Sequence, residues 1–156
     1  MSELAIVAIG SNLGHTRELV LRAMDRLQEF SDKPLLRSSL YETAPVDCPP
    51  GSPNFLNAVV AFEPRPDETP DSLLQKLQAL EKEFGRKPKK ILNESRPLDL
   101  DIIAFGERNS NSPQLTLPHP RAHLRRFVLE PLSEIAPELV LPGQTKTVGV
   151  LLQELC

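Results

Sequence analysis

A chain of 156 residues, 40% of them apolar, has the size of one globular domain with a full core. Its 21 acidic and 18 basic side chains leave a net charge of −3, which excludes a surface built to coat nucleic acid. Two cysteines, Cys48 and Cys156, are too few for a disulfide framework or a zinc knuckle, and the first apolar run stops at Gly10, too short for a signal peptide or membrane span. The expectation is a cytoplasmic monomer with neither nucleic acid nor membrane as partner.

In chain order, Leu4 to Ile9 is a short apolar run closed by Gly10-Ser11-Asn12-Leu13-Gly14, a buried strand and a turn. Val20, Ala23, Met24 and Leu27 stand at i, i+3, i+4 and i+7 and predict the buried stripe of a helix running to about Phe30. Leu35 to Tyr41 is a second strand. Pro45 to Pro53 holds four prolines and a glycine and must be an irregular loop. Phe55 to Phe62 is a third strand with Phe55, Asn57, Val59 and Ala61 on one face. Thr69-Pro70-Asp71 supplies an N-cap, a first-turn proline and a first-turn acid. The helix they start turns Leu73, Leu77, Leu80 and Phe84 inward and stops at Gly85. A long basic loop follows to Pro97, then a strand from Leu98, a polar loop over Glu107 to Ser112, a short helix from Arg125 to Leu132 and a last helix over Val148 to Leu155. The order strand-helix-strand-strand-helix-strand is the ferredoxin-like arrangement: an α+β single domain over 1–156, in which an antiparallel sheet with helices packed on it makes a three-layer α/β/α stack.

Arg96-Pro97-Leu98-Asp99-Leu100-Asp101-Ile102-Ile103 is the sharpest chemical signal. Residues two apart on a strand point the same way, so both carboxylates leave one face about 7 Å apart. On a helix they would diverge by about 200°. Such a pair suits Mg²⁺, a hard cation held by one or two carboxylates plus substrate phosphates. Arg96 brings a planar fork for phosphate. A solvated strand face carrying two acids is the plainer alternative. Gly10 to Gly14 sits where phosphate loops occur but lacks the Lys-Ser/Thr ending of a P-loop and the dinucleotide fingerprint, which favours a tight structural turn. Asn57 interrupts an apolar row beside Phe55; its amide can read the edge of a heterocycle while Phe55 covers the ring, or it is a buried amide with a backbone partner. Pro118-His119-Pro120-Arg121, with His123, Arg125 and Arg126 behind it, reads as a phosphate-facing basic cluster more than a zinc site, or as a solvated basic patch.

Taken together, these motifs resemble the 6-hydroxymethyl-7,8-dihydropterin pyrophosphokinase family of folate biosynthesis over nearly the whole chain. The resemblance rests on Gly10-Ser11-Asn12-Leu13, Tyr41-Glu42-Thr43-Ala44-Pro45, Phe55-Leu56-Asn57, Glu81 through Gly85-Arg86, Arg96 to Asp101, Leu117-Pro118-His119-Pro120-Arg121, and Arg125 to Leu132. It implies an ATP-dependent diphosphotransferase: the hydroxymethyl oxygen of 6-hydroxymethyl-7,8-dihydropterin attacks the β-phosphorus of ATP, and AMP leaves. By position, Asp99 and Asp101 would hold a pair of Mg²⁺ ions, and Arg86 and Arg96 would face the triphosphate as further catalytic groups. Gln78, Glu81, Ile102, Thr116, His119 and Arg125 match ATP contacts, with ATP as co-substrate. Thr43, Ala44 and Val46 match backbone contacts to the pterin, Asn57 its side-chain reader, and Phe55 and Phe127 the two faces of a ring sandwich.

The chain departs from that pattern in the basic loop. Many members carry an arginine, a tryptophan, glycine and proline where this chain has Leu92-Asn93-Glu94-Ser95. Pro88 and Gln114 stand where arginines are common. Lys87, Lys89 and Lys90 supply charge from other points, without arginine's fork. Two rivals follow from the residues: a non-catalytic ligand sensor, which has no need of the aspartate pair, and a nucleotide-hydrolysing phosphotransferase, whose turnover would not depend on the pterin alcohol.

Overall fold

The computed structural model describes residues 3–12, 14–43, 54–85 and 97–155. Its first strand, β1 (Ala5–Ser11), alternates Ala5, Val7 and Ile9 with Ile6, Ala8 and Gly10. The strand runs through Gly10 and Ser11, so the expected turn starts two residues later. Ser11 is buried there and its hydroxyl donates to the Pro97 carbonyl. Helix α1 (Thr16–Leu27) buries Val20, Ala23, Met24 and Leu27, the stripe its spacing predicts, and tightens into a 3₁₀ turn over Gln28–Phe30.

The second expected strand is split into β2 (Leu36–Arg37) and β3 (Tyr41–Thr43). Ser38 is the cause. Its N–H donates to the Val59 carbonyl at 3.0 Å, but the Val59 N–H donates to the Ser38 hydroxyl at 2.9 Å, a side chain standing where the ladder needs a carbonyl. Strand β4 (Phe55–Phe62) matches expectation. Helix α2 (Pro70–Glu83) starts on a capping box in which Thr69 and Ser72 satisfy each other's backbone N–H. It buries Leu73, Leu77, Leu80 and also Glu81, and ends before Gly85, whose φ of +98° is open to glycine.

Strand β5 (Asp99–Phe105) follows. The expected polar loop contains a small hairpin, β6 (Ser110–Asn111) with β7 (Thr116–Leu117), too short to show a periodicity. Helix α3 (Arg126–Ile135) runs past Pro131 and is longer than expected; α4 (Val148–Glu154) is capped by the Thr147 hydroxyl. The main sheet is antiparallel with order β2-β4-β1-β5, and β3 pairs with the same edge of β4 as β2. This is the ferredoxin-like order.

Each sheet face has its own core. One buries Val7, Ile9, Val60, Phe62, Leu100 and Ile102 against α1 and α2; the other buries Ile6, Val59, Ala61 and Ile103 against α3 and α4. A β-bulge in β5 resets the alternation: Val7 stands opposite Ile102 and Ile6 opposite Ala104, leaving Ile103 extra. Ile103 and Ala104 therefore both join the α3–α4 core, and Phe105 returns to the other.

Candidate active site

Register places the candidate residues. Directly opposite residues share a face, and Gly10 lies opposite Asn57 on β4 and Asp99 on β5. Tyr41 lies opposite Asn57, so one row across the sheet reads Tyr41, Asn57, Gly10, Asp99. A second row reads Val59, Ala8, Asp101, and Thr43 stands opposite Phe55. All of these side chains are on the α3–α4 face, the face of Val59 and Ala61. Strands about 4.8 Å apart put Asn57 and Asp99 about 10 Å from each other.

On the Asn57 side the geometry is specific. Asn57 is buried, and its Nδ2 donates to the Thr43 hydroxyl at 2.6 Å. Thr43, expected to act through its backbone, thus also orients the amide through its side chain. The amide's Oδ1 reaches over Gly10: a Cβ there would stand 3.3 Å from it and 3.6 Å from the Phe55 ring. The sequence places Gly10 in a tight turn; in the structure it is instead the bare middle of the row. Its signal was the shrinking series Ile6, Ala8, Gly10 on one face of β1. Phe55 is half-buried, and Phe127 opens α3, the helix packed over this face.

On the aspartate side, Asp99 and Asp101 project from the same face and both are half-buried. Glu81 enters from the sheet's outer edge: its buried carboxylate accepts the Leu100 N–H at 2.8 Å, pinning the residue between the two aspartates. Glu81 thus meets the site through β5, while Gln78, one turn earlier, is exposed. Ile102 buries its side chain in the α1–α2 core and, two residues on from Leu100, turns its backbone to the same outer edge. Beyond it, the His119 N–H donates to the Ile103 carbonyl at 2.9 Å, which lays the Pro118-His119-Pro120 run along that edge. Thr116 is exposed on the neighbouring β7.

His119 is half-buried and its Nδ1 accepts the Arg121 N–H at 3.2 Å, which leaves the proton on Nε2. Burial holds its pKa below the ordinary imidazole value, the Arg125 and Arg121 charges add to this, and Asp99 opposes it. At neutral pH it is an uncharged donor beside Asp99. Arg125 is the N-cap residue of α3, and its guanidinium lies over the Phe127 ring, 5.3 Å from the ring centre. Arg86, Arg96, Ala44 and Val46 lie outside the described residues, as does most of the 85–97 loop.

Two half-buried carboxylates on one face are a donor set that fits Mg²⁺ completed by substrate phosphates. Among the described residues no group of three or more His, Cys, Asp or Glu could hold a metal by protein ligands alone. Fold and face define a ferredoxin-like α+β protein that carries an amide, an aromatic ring and an acidic pair on one sheet face.

Residues 6–137 match the family model for 7,8-dihydro-6-hydroxymethylpterin-pyrophosphokinase. The 2-amino-4-hydroxy-6-hydroxymethyldihydropteridine pyrophosphokinase of Pseudomonas aeruginosa is 39% identical over 143 residues, covering 91% of this chain and 86% of that one. The folic acid synthesis protein fol1 of Pneumocystis carinii is 39% identical over 141 residues, 90% of this chain but only 18% of that longer protein. Among solved structures, wild-type Plasmodium falciparum HPPK-DHPS superposes with a TM-score of 0.72 at 15% identity, over 99% of this chain and 45% of the other, a likeness of fold. The chain belongs to the 7,8-dihydro-6-hydroxymethylpterin-pyrophosphokinase family. It is an ATP-dependent pyrophosphokinase, a transferase of folate biosynthesis.

Proposed function

We propose that this chain moves the diphosphate of ATP onto the hydroxymethyl oxygen of 6-hydroxymethyl-7,8-dihydropterin and releases AMP. The observation that supports it best is the row Asn57, Gly10, Asp99, which sets a heterocycle reader about two strand spacings from the acidic pair. The Asn57 amide reads the pterin edge while Phe55 and Phe127 cover its two faces, so the ring is fixed with its hydroxymethyl carbon toward β5. Asp99 and Asp101 would hold Mg²⁺ with the triphosphate. Bound there, the metal neutralises charge on the phosphate oxygens. His119, neutral with its proton on Nε2, donates to a phosphate oxygen without needing to titrate, and Arg125 adds charge from the α3 cap. Attack of the substrate oxygen on the β-phosphorus forms one P–O bond and breaks the bond to the oxygen retained by AMP. Alignment and charge, more than covalent help, carry such a transfer. Thr116 and the outer backbone edge of Ile102 supply nucleotide contacts, with Gln78 beside them.

Arg86, Arg96, Ala44 and Val46 enter this reading by resemblance alone. We read the chain as one domain, acting as a monomer in the cytoplasm where ATP and Mg²⁺ abound. Among the described residues the exposed large apolar side chains, Leu21, Leu36, Leu124, Val140 and Val150, are spread over separate elements.

Mixing the protein with ATP, Mg²⁺ and the pterin alcohol should yield AMP and the pterin diphosphate. ADP, or phosphate release indifferent to the alcohol, would point to the hydrolytic rival, and binding without turnover to a sensor. Asp99→Ala and Asp101→Ala should each fold normally and lose on the order of a thousandfold in turnover. A folded variant that kept more than about a tenth of the rate would remove the aspartates from the reaction.

A further inference from the structure

Away from the aspartate pair, Glu134 stands near the last turn of α3. Its carboxylate is a point of convergence. Oε1 accepts the Tyr41 hydroxyl at 2.6 Å and the Ser39 N–H at 2.9 Å, and Oε2 accepts the Ser39 hydroxyl at 2.9 Å. The three bonds tie the short edge strand β3, and the residues entering it, to a helix more than ninety positions away in sequence. β3 needs such a tie. It is three residues long, its only strand partner among the described residues is β4, and Ser38 has already broken the ladder before it.

What the tie joins gives it meaning. Tyr41 stands opposite Asn57, and Thr43, two residues on, holds the Asn57 amide through its hydroxyl. On α3, Phe127 precedes Glu134 by seven residues, two helical turns, so both emerge within about 20° of each other. Glu134 therefore links the strand that orients the amide and backs Phe55 to the helix that carries Phe127.

We propose that Glu134 is a positioning residue of the pterin side of the site: by clamping Ser39 and Tyr41 to α3 it sets the spacing between the Phe55–Asn57 wall and the Phe127 wall. This rests on the pterin reading given above. The clamp acts on the ring slot and leaves the aspartate side, which hangs on β5 and Glu81, untouched.

The chain contains one tyrosine and no tryptophan, so the phenol of Tyr41 is its own reporter. Its hydrogen bond to Glu134, with burial and the Glu134 and Glu130 charges adding, pushes its pKa up to about 12. Glu134→Ala and Glu134→Gln are the informative pair. Glutamine retains the clamp in neutral form, its Oε1 accepting from Tyr41 and Ser39 and its Nε2 donating to the Ser39 hydroxyl. Glu134→Ala should raise the pterin KM about tenfold while the ATP KM stays within about twofold, and Glu134→Gln should recover to within about threefold of wild type. In the ultraviolet titration, tyrosine ionisation in Glu134→Ala should fall toward the ordinary value of about 10.

An unchanged pterin KM in Glu134→Ala, an equal rise in both KM values, or a glutamine variant no better than alanine would each overturn the proposal. So would an unshifted tyrosine titration, which needs no substrate and removes the clamp itself. If the wild type makes no AMP from the pterin alcohol while the titration moves as expected, it is the reading of the substrate that fails.

Discussion

Replacing Gly10 by alanine puts one methyl group at the middle of the candidate site. The backbone there is ordinary strand, so alanine meets no torsional penalty of the kind found at Gly85. Its Cβ would lie 3.3 Å from Asn57 Oδ1 and 3.6 Å from the Phe55 ring, so the amide oxygen must give by a few tenths of an ångström. That oxygen belongs to a group already held by Thr43 at 2.6 Å, and moving it strains the bond. For stability the effects nearly cancel. Reduced chain entropy in the unfolded state favours alanine by about 0.5–1 kcal/mol, and a weakened Asn57–Thr43 bond costs about 0.5–1.5 kcal/mol. For binding they do not cancel, because the methyl occupies the path between amide and aspartates while the amide is displaced. A loss of about 1–3 kcal/mol, roughly 5- to 150-fold in pterin affinity, is expected. Calorimetry with pterin in the presence of Mg²⁺ and an unreactive ATP analogue reads this directly, with the nucleotide titrated alone and a urea midpoint as controls. A folded Gly10→Ala protein binding pterin within a factor of about two of wild type would refute the reasoning.

Glu81→Ala strands the buried Leu100 N–H and should cost about 1–3 kcal/mol in urea unfolding together with turnover, whereas Glu81→Gln, which keeps an acceptor, should cost much less; equal losses would show that the charge and not the hydrogen bond matters. His119 titrates below the ordinary imidazole value in the folded chain, so on acidification the unfolded chain takes up its proton first. Its contribution is whole above that value and declines as pH falls through and below it. Between about pH 7 and pH 5 the wild type should therefore lose more stability than His119→Gln, and parallel losses in urea midpoints would contradict the assignment.

The parts of the fold that show up in sequence are those where a single period runs long enough to be counted. The α1 stripe, the Thr69-led start of α2 and the alternation of β4 and of Leu98 to Ile102 fall in this group, and Asp99 and Asp101 share a face because that last alternation is real. What stays hidden is whatever depends on a partner distant in the chain. Ser38 splits a strand because its hydroxyl, not its carbonyl, meets Val59. The bulge at Ile103 exists only against β1, and the β6–β7 hairpin is too short to carry a pattern. The same division runs through the candidate site: Asn57, Phe55 and His119 are singled out by residue type, but the places of Gly10, Tyr41 and Glu134 beside them appear only once register and helix packing are known.

One sheet face carries both core and candidate site, and the transition lies along the strands themselves. On β1 the residues facing α3 and α4 pass from Ile6, buried, through Ala8, partly open, to Gly10, which has no side chain. On β4 they pass from Ala61 and Val59 to Asn57 and Phe55, and on β5 from Ile103 to Asp101 and Asp99. Apolar volume that binds the helices gives way within two residues to groups that can bind a ligand. The floor of the candidate site is therefore continuous with the hydrogen-bonded ladder of β4, β1 and β5, as precise placement of a reader and two carboxylates requires. The same geometry separates two kinds of substitution. Truncating Ile6 or Val59 opens a cavity under α3 and weakens the fold. Changes at Gly10, Asn57 or Asp99, a few ångströms along the same strands, leave that packing in place and act on the ligand.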